Sequence, residues 1–406
     1  MARAPRTRSH PWKFKARFRR GAFGWRSEPA ITRVKEAVSE IRKVARQEPV
    51  LAAEGAVTFL ERVSPALEQV DSSSGAIGTA VHHAIDALVQ VIAAAPADVA
   101  TRDAWLERLF EALQADQVPY IESLGDSWGE LCASETLASA WADRLVSITA
   151  MALSPDRSLR GHFPGTSACL SALFRARRYT EIAGLVPTNT IWPYRVWVVR
   201  ALAAAGRGDE AIRYAESCRD KWTNDIAVDT ACEEILLAAG RRDEAYARYG
   251  LRAGRRGTYL ATFRAVAAKY PDKPPRELLA ALVETTPGDA GKWFAAAKEA
   301  GLFDEALALA RRMPCDPRTL ARAARDFVKE RPEFALEAGF LSLYGMVQGH
   351  GFDLTGHDVL AAFRPAMAAA GMLGREIDLK AGVRDLIARG GPNARWVRDV
   401  LGKAIE

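Results

Sequence analysis

The chain has few cysteines and no apolar run long enough to cross a membrane. Its 406 residues include five cysteines, which form no CxxC pair and no closely spaced even set, so neither a disulfide scaffold nor a zinc ribbon is indicated. The longest apolar candidate, around ALVQVIAAAPADVA, is interrupted by Gln90, Pro96 and Asp98, and no membrane span is expected. The N-terminus lacks the apolar segment of a secretory signal. We therefore expect a cytoplasmic protein.

Alternation of apolar and polar residues, the pattern of half-buried strands, is hard to find anywhere in the chain. Apolar residues recur at helical intervals of four, three and four in Val34, Val38, Ile41 and Ala45. Ser27 and Pro29 are start signals for this helix, and Ser64 with Pro65 predicts the start of another. Further helical patterns cover about residues 51–63, 76–95, 101–115 and 130–152. The sequence therefore predicts an all-α fold.

Acidic residues are absent from the first 26 positions, which hold nine lysines and arginines. The net charge of the whole chain is +6, so the rest of the chain is close to neutral and the basic character belongs to an N-terminal arm. Aromatic residues are interleaved with these cations. Cations neutralise phosphates and aromatic faces stack on unpaired bases, but the same residues also suit docking onto the body or onto a partner protein. The candidate binding residues are Trp12, Lys13, Lys15, Arg17, Arg19, Arg20, Trp25 and Arg26.

One short segment occurs in three near-copies. They read AGRGDEAIRYA, AGRRDEAYARY and AGLFDEALALA, and they begin at Ala205, Ala239 and Ala300. In each copy a glycine ends one helix, an Asp-Glu pair opens the next, and an alanine lets the two helices approach closely. The first two glycines are 34 residues apart, which is the period of tetratricopeptide repeats. The motif is therefore interpreted as structural, and a further turn is predicted near Gly371.

This region resembles tetratricopeptide-like repeats, although the large aromatic residue expected early in each unit is missing or displaced. Residues 33–81, beginning RVKEAVSEIR, and 257–339, beginning GTYLATFRAV, look like an uncharacterised bacterial family of helical-repeat proteins. The likeness covers most of the chain from about Trp12. It implies a bacterial, non-secreted, all-helical protein, and it carries over no activity and no functional residue.

Three polar clusters have the composition of a site: His82, His83 and Asp86; Glu122, Asp126 and Glu130; and His350, Asp353, His357 and Asp358. The first can place at most two ligands on one helix face, whereas a zinc site needs three or four. The second could supply the carboxylate pair of a glycoside hydrolase, and the third suits a metal or an acid–base pair. Helix caps and polar turns explain all three more simply. We predict no catalytic residue, no metal site and no cofactor.

The sequence predicts a basic aromatic arm over residues 1–27, a helical region over 28–153 and a helix–turn–helix solenoid of tetratricopeptide type over 154–406. Solenoids present extended surfaces that suit binding. The leading hypothesis is a non-enzymatic scaffold that binds another protein or peptide in a bacterial cytoplasm. The alternative is a nucleic-acid-associated protein that uses the arm, and the third possibility is an enzyme with its active site in a helical groove. Whether the arm is ordered, and the oligomeric state, stay open.

Overall fold

The computed structural model describes residues 10–406, with the exception of residues 157 and 159. Regular structure in this part of the chain is helical throughout and includes no strand, which confirms the all-α prediction. The fold consists of two compact units, of which the first ends at Ile235 and the second begins at Leu236. The boundaries predicted after residues 27 and 153 rest on changes in sequence pattern and stay predictions. Residues 1–9 of the predicted arm lie outside the described residues.

The first unit begins with a short helix and a bundle of three long ones. Its helices are α1 (Lys13–Arg17), α2 (Ser27–Ala45), α3 (Pro49–Leu67), α4 (Ala76–Ala94), α5 (Val99–Gln114), α6 (Trp128–Cys132), α7 (Glu135–Ala152), α8 (Thr166–Arg175), α9 (Tyr179–Leu185), α10 (Trp192–Ala204), α11 (Gly208–Ser217) and α12 (Asp225–Ala238), which crosses the boundary. Helices α2, α3 and α4 all pack against one another. Because short connections make neighbouring helices antiparallel, α2 and α4 run in the same direction.

The second unit is a chain of shorter helices. They are α13 (Arg242–Ala245), α14 (Leu251–Ala253), α15 (Tyr259–Lys269), α16 (Pro275–Glu284), α17 (Phe294–Glu299), α18 (Phe303–Arg312), α19 (Pro317–Phe327), α20 (Pro332–Val347), α21 (Gly356–Leu373), α22 (Glu376–Ala388) and α23 (Ala394–Leu401). A π-helical turn, Tyr246–Gly250, joins α13 to α14. One apolar cluster includes Trp293, Phe294 and Phe334, and a second is formed mainly by α20 to α23.

The repeated turn has the geometry that its glycines predict. Its turn residues have φ between +58° and +79°: Arg177, Gly206, Gly240, Gly301 and Gly374. In each copy the next residue donates its N–H to the carbonyl five residues earlier, at 2.8–2.9 Å, which is the hydrogen bond of a Schellman motif. The residue five positions after each turn residue is buried: Ile182, Ala211, Ala245, Ala306 and Leu379. The structural interpretation of the motif is confirmed, and the turn predicted near Gly371 lies three residues later.

Arg177 occupies the position that glycine holds in the other four turns, which is why the sequence pattern did not show this copy. Its φ of +58° is a left-handed conformation that is unfavourable for a residue with a side chain. The ion pair of Arg177 with Glu135 lies on the surface, so losing it has a small effect. We expect Arg177→Gly to raise the free energy of unfolding by about 0.5–1 kcal/mol, as measured by urea denaturation. Gly206→Arg is the reciprocal control and should destabilise; a destabilised Arg177→Gly protein would contradict the argument.

Two predicted helix boundaries are wrong. Ser64 and Pro65 do not begin a helix, because α3 continues to Leu67 and holds Pro65 in its last turn. The hydroxyl of Ser64 donates to Asp116 instead of capping a helix. The pattern over 130–152 is also not one helix, since Ala133, with φ of +58°, separates α6 from α7.

Helix α4 is more apolar than the sequence pattern suggested. By length and composition it could cross a membrane, and it is the one such helix in the described part of the chain. Val91 is half-buried, whereas six other large apolar side chains of α4 are buried in the first unit: Ile77, Val81, Ile85, Leu88, Val89 and Ile92. Burial of these six side chains is typical of a helix that contributes to a protein core.

Candidate functional site

An open groove of about 790 Å³ lies between α2 and α4 in the first unit. Helix α2 contributes Val34, Lys35, Val38, Ser39, Arg42, Lys43, Ala45 and Arg46, and α4 contributes Ala80, His83, Ala84 and Val91. We call this surface the basic groove.

The floor of the basic groove is formed by the part of an apolar helix face that the bundle does not bury. The sequence predicts one apolar face on α2, but the bundle buries only part of it. Val34 and Ile41 are fully buried, whereas Val38 and Ala45 are only half-buried and line the groove. The facing wall on α4 is made largely of alanine and valine. The first unit therefore leaves part of an apolar surface uncovered along two parallel helices.

A row of cations borders this floor. Lys35, Arg42 and Arg46 are exposed and follow at intervals of seven and four residues, which places them on one face of α2. At 1.5 Å per residue the row extends over about 16 Å. Lys43 lies at the edge of the same groove, and no aspartate or glutamate from the described part of the chain lines it. Among the described residues, none of the four cations forms an ion pair.

Two of the three acidic side chains of α2, Glu36 and Glu40, lie on a different side of the helix, whereas Glu28 is exposed in its first turn and shares the face of Lys35 seven residues later. Glu36 accepts hydrogen bonds from Arg33 at 2.6 Å and from Arg17 at 2.7 Å, and these cations lower its pKa. Glu40 accepts from the backbone N–H of Lys13 at 2.9 Å. Over the part of α2 that lines the groove, the charges are thus segregated, with carboxylates toward the arm and unpaired cations toward the groove. A concave surface lined by one sign of charge attracts ligands of the opposite sign.

The aromatic residues of the arm pack onto the bundle. Phe14 and Phe18 are 2% and 1% exposed, and both rings contact Phe59 of α3 edge-on, with centroids 5.6 and 5.0 Å away. The indole of Trp12 occupies the space that a side chain at Gly55 would need. Because Phe14 and Phe18 are buried, neither ring offers a free face for base stacking.

The candidate residues of the arm are distributed in three ways. Trp12 is docked on α3, while the guanidinium groups of Arg17 and Arg20 pair with Glu36 and Glu68 at 2.7 and 3.0 Å. The side chains of the other five are exposed: Lys13, Lys15, Arg19, Trp25 and Arg26. Trp25, at 72% exposure, is the most accessible aromatic residue of the arm. None of the eight lines the basic groove, but Lys13 and Arg17 border a cavity of about 440 Å³ on the other flank of α2, which shares Ser39 and Lys43 with the groove.

The sequence analysis does not predict the cations of the groove as binding residues, because their spacing is typical of the solvent-exposed face of an amphipathic helix. A usable signal was present in the charge count. Residues 10–47 hold eleven lysines and arginines but only three glutamates, so the basic segment does not stop at residue 26 and continues along α2.

The structure does not assemble the polar clusters into sites. Asp358 caps α21 through Thr355 and pairs with Arg318 at 2.8 Å, and these contacts hold its pKa well below its usual range. Glu130 accepts a hydrogen bond from Gln90, whereas Glu122 and Asp126 both lie near Tyr194 and contribute to raising its pKa, after burial. His83 lines the basic groove, but no group of three or more potential metal ligands occurs within the described residues.

The five cysteines are buried, and none of them is in a disulfide. Burial raises the pKa of Cys132 and Cys315 to about 12 and that of Cys169 to about 11. These thiols are protonated near neutral pH and do not resemble activated nucleophiles, whose pKa is lowered.

Comparisons with protein-family models, with curated proteins and with solved structures give no match to this chain.

Proposed function

We propose that this protein is a non-enzymatic interaction scaffold that binds an acidic region of another protein through the basic groove. The observation that carries the proposal is the combination of an uncovered apolar floor with four unpaired cations along one helix. A partner that supplies apolar side chains and carboxylates would cover the first and neutralise the second. Complementary charges of this kind contribute specificity and fast association.

The repeated helix–turn–helix turns support a second element of this proposal. Copies of one turn in both units are what a tetratricopeptide-like solenoid requires, and such folds serve mainly to bind other molecules. The proposal places this scaffold in a bacterial cytoplasm, in keeping with the resemblance to a helical-repeat family.

The test is affinity capture from a bacterial lysate treated with nuclease, using three full-length proteins. They are the wild type, the rim-reversed variant Lys35→Glu/Arg42→Glu/Arg46→Glu, and the charge-matched control Lys329→Glu/Arg364→Glu/Lys403→Glu, whose substitutions are exposed and lie in the second unit. We expect one protein with an acidic segment to be retained by the wild type and by the control. The rim-reversed variant should lose at least nine-tenths of it. Equal retention by all three proteins would contradict the proposal.

A nucleic-acid-associated protein is the second candidate, and the charge excess over residues 10–47 favours it. Residues 28–406 alone are a poor test because removing the arm would expose Phe59. The variant Lys15→Glu/Arg19→Glu/Arg26→Glu changes exposed cations only. Retention of nucleic acid that this variant abolishes, and that falls on the order of a thousandfold between 50 and 200 mM salt for about six phosphate contacts, would support the second candidate over the first.

A further inference from the structure

The geometry points to one occupant of the basic groove, an acidic amphipathic α-helix of a partner protein that lies along α2 and α4. This inference rests on the proposed function and specifies its partner. It follows from the shape of the groove, the chemistry of its floor and the spacing of its cations.

The shape of the groove fits a helix. Two parallel helices side by side leave a furrow in which a further helix packs with its axis about 8–10 Å from each. Ala80 and Ala84 on α4 and Ala45 on α2 keep the walls low, so that a partner backbone can approach closely. With α3 on the opposite side, an added helix would complete a four-helix arrangement.

A ligand that complements the groove must have one apolar face and one acidic face. Val38 and Val91 are half-buried and need an apolar cover, which a sugar-phosphate backbone does not provide. Carboxylates of the ligand would have to follow the row of Lys35, Arg42 and Arg46 over about 16 Å, the length of three turns of helix. Glutamates along one flank of an amphipathic helix and small or branched apolar residues along the other meet both needs. Recognition of a helix in an apolar groove is a common mode of peptide binding.

The experiment measures binding by fluorescence anisotropy with the full-length protein and four synthetic probes. The first is a helical peptide of about 18 residues with an alanine–leucine face flanked by glutamates. The second is a scrambled peptide of the same composition, and the third is the first with lysine in place of each glutamate. The fourth is a single-stranded DNA oligomer of equal length, and vesicles of phosphatidylglycerol are tested separately by sedimentation.

We expect the acidic helix to bind at least tenfold more tightly than its scrambled form. In the rim-reversed variant, affinity for the acidic helix peptide should fall on the order of a hundredfold. The control variant in the second unit should bind this peptide with unchanged affinity. The rim-reversed variant should in turn bind the lysine peptide, which the wild type rejects. This exchange of preference shows that the variant is folded. Ala80→Trp should block the acidic helix without any change of charge, because Ala80 lines the groove.

Three outcomes would overturn the inference. Equal binding of the acidic helix and its scrambled form would show that the groove attracts negative charge without reading a helix, and the proposed function would survive. Tighter binding of DNA or of vesicles, lost in the rim-reversed variant, would assign the groove to a polyanion or to a membrane surface. If no probe binds, the inference of a helical ligand is contradicted. The proposed scaffold function is still tested independently by affinity capture from lysate.

Discussion

Alanine in place of Gly291 is expected to lower the free energy of unfolding of the second unit by about 3 kcal/mol. Gly291 lies in the 3₁₀ segment Pro287–Trp293. A β-carbon at this position would overlap the carbonyl oxygens of Met313 and Pro314. Both obstacles are backbone atoms, in the connection between α18 and α19, so no rotamer change relieves the overlap. One of the two segments must shift, and the packing around Trp293 shifts with it.

Gly288→Ala is the matched control for this substitution. Gly288 lies three residues earlier in the same segment and is exposed, and no atom lies within 4 Å of the place that a β-carbon would take there. We expect a change within about 0.5 kcal/mol. Urea denaturation followed by tryptophan fluorescence, with Trp293 buried nearby, measures both variants. Equal midpoints for Gly291→Ala and Gly288→Ala would show that the Met313–Pro314 connection yields easily.

Much of the helical fold could be predicted because its signals are local. The turn at Gly206 depends on a residue that tolerates positive φ, and the acidic pair that follows it opens a helix, so the sequence shows both directly. Arg177 makes the same turn without the glycine, because packing of α8 against α9 imposes the conformation on an unfavourable residue. Pro65 led to the prediction of a helix start that does not exist, because a proline in the last turn of α3 resembles in sequence a proline in the first turn of a new helix.

The candidate site could not be predicted in the same way, because it depends on which residues remain uncovered. Val34 and Val38 belong to one apolar stripe in the sequence, yet the fold buries the first and leaves the second half-exposed. Lys35 and Glu36 are neighbours in the chain, yet only the glutamate finds partners on the arm and on its own helix. Such differences arise from tertiary packing. The arm illustrates the same limit, since Phe14 and Phe18 suit base stacking in sequence but pack onto α3 in the fold.

Arg102 is a buried cation whose substitution should affect both the stability of the first unit and α4, the helix that forms one wall of the basic groove. Its guanidinium is 5% exposed and donates to the carbonyls of Ile92 at 3.0 Å, Ala95 at 2.6 Å and Leu131 at 3.1 Å. These carbonyls lie at the C-terminal ends of α4 and α6, where a cation is favourable. Burial lowers the pKa of Arg102, so the protein keeps this charge in place through hydrogen bonds to backbone oxygens.

We expect Arg102→Met to lower the free energy of unfolding of the first unit by about 3–5 kcal/mol, because three backbone carbonyls lose the charged guanidinium donor at once. Ile92 and Ala95 then keep only the backbone N–H groups of Ala95 and Ala97 as donors. Arg144→Met is the control. Its ion pairs with Asp103 and Glu107 are on the surface, so its loss should cost about 1 kcal/mol or less. Since the last turn of α4 follows directly on Val91, Arg102→Met should also weaken the acidic helix peptide, whereas Arg144→Met should not. A destabilised Arg102→Met protein that binds the peptide with unchanged affinity would separate the end of α4 from the groove and place the binding determinants nearer to Lys35.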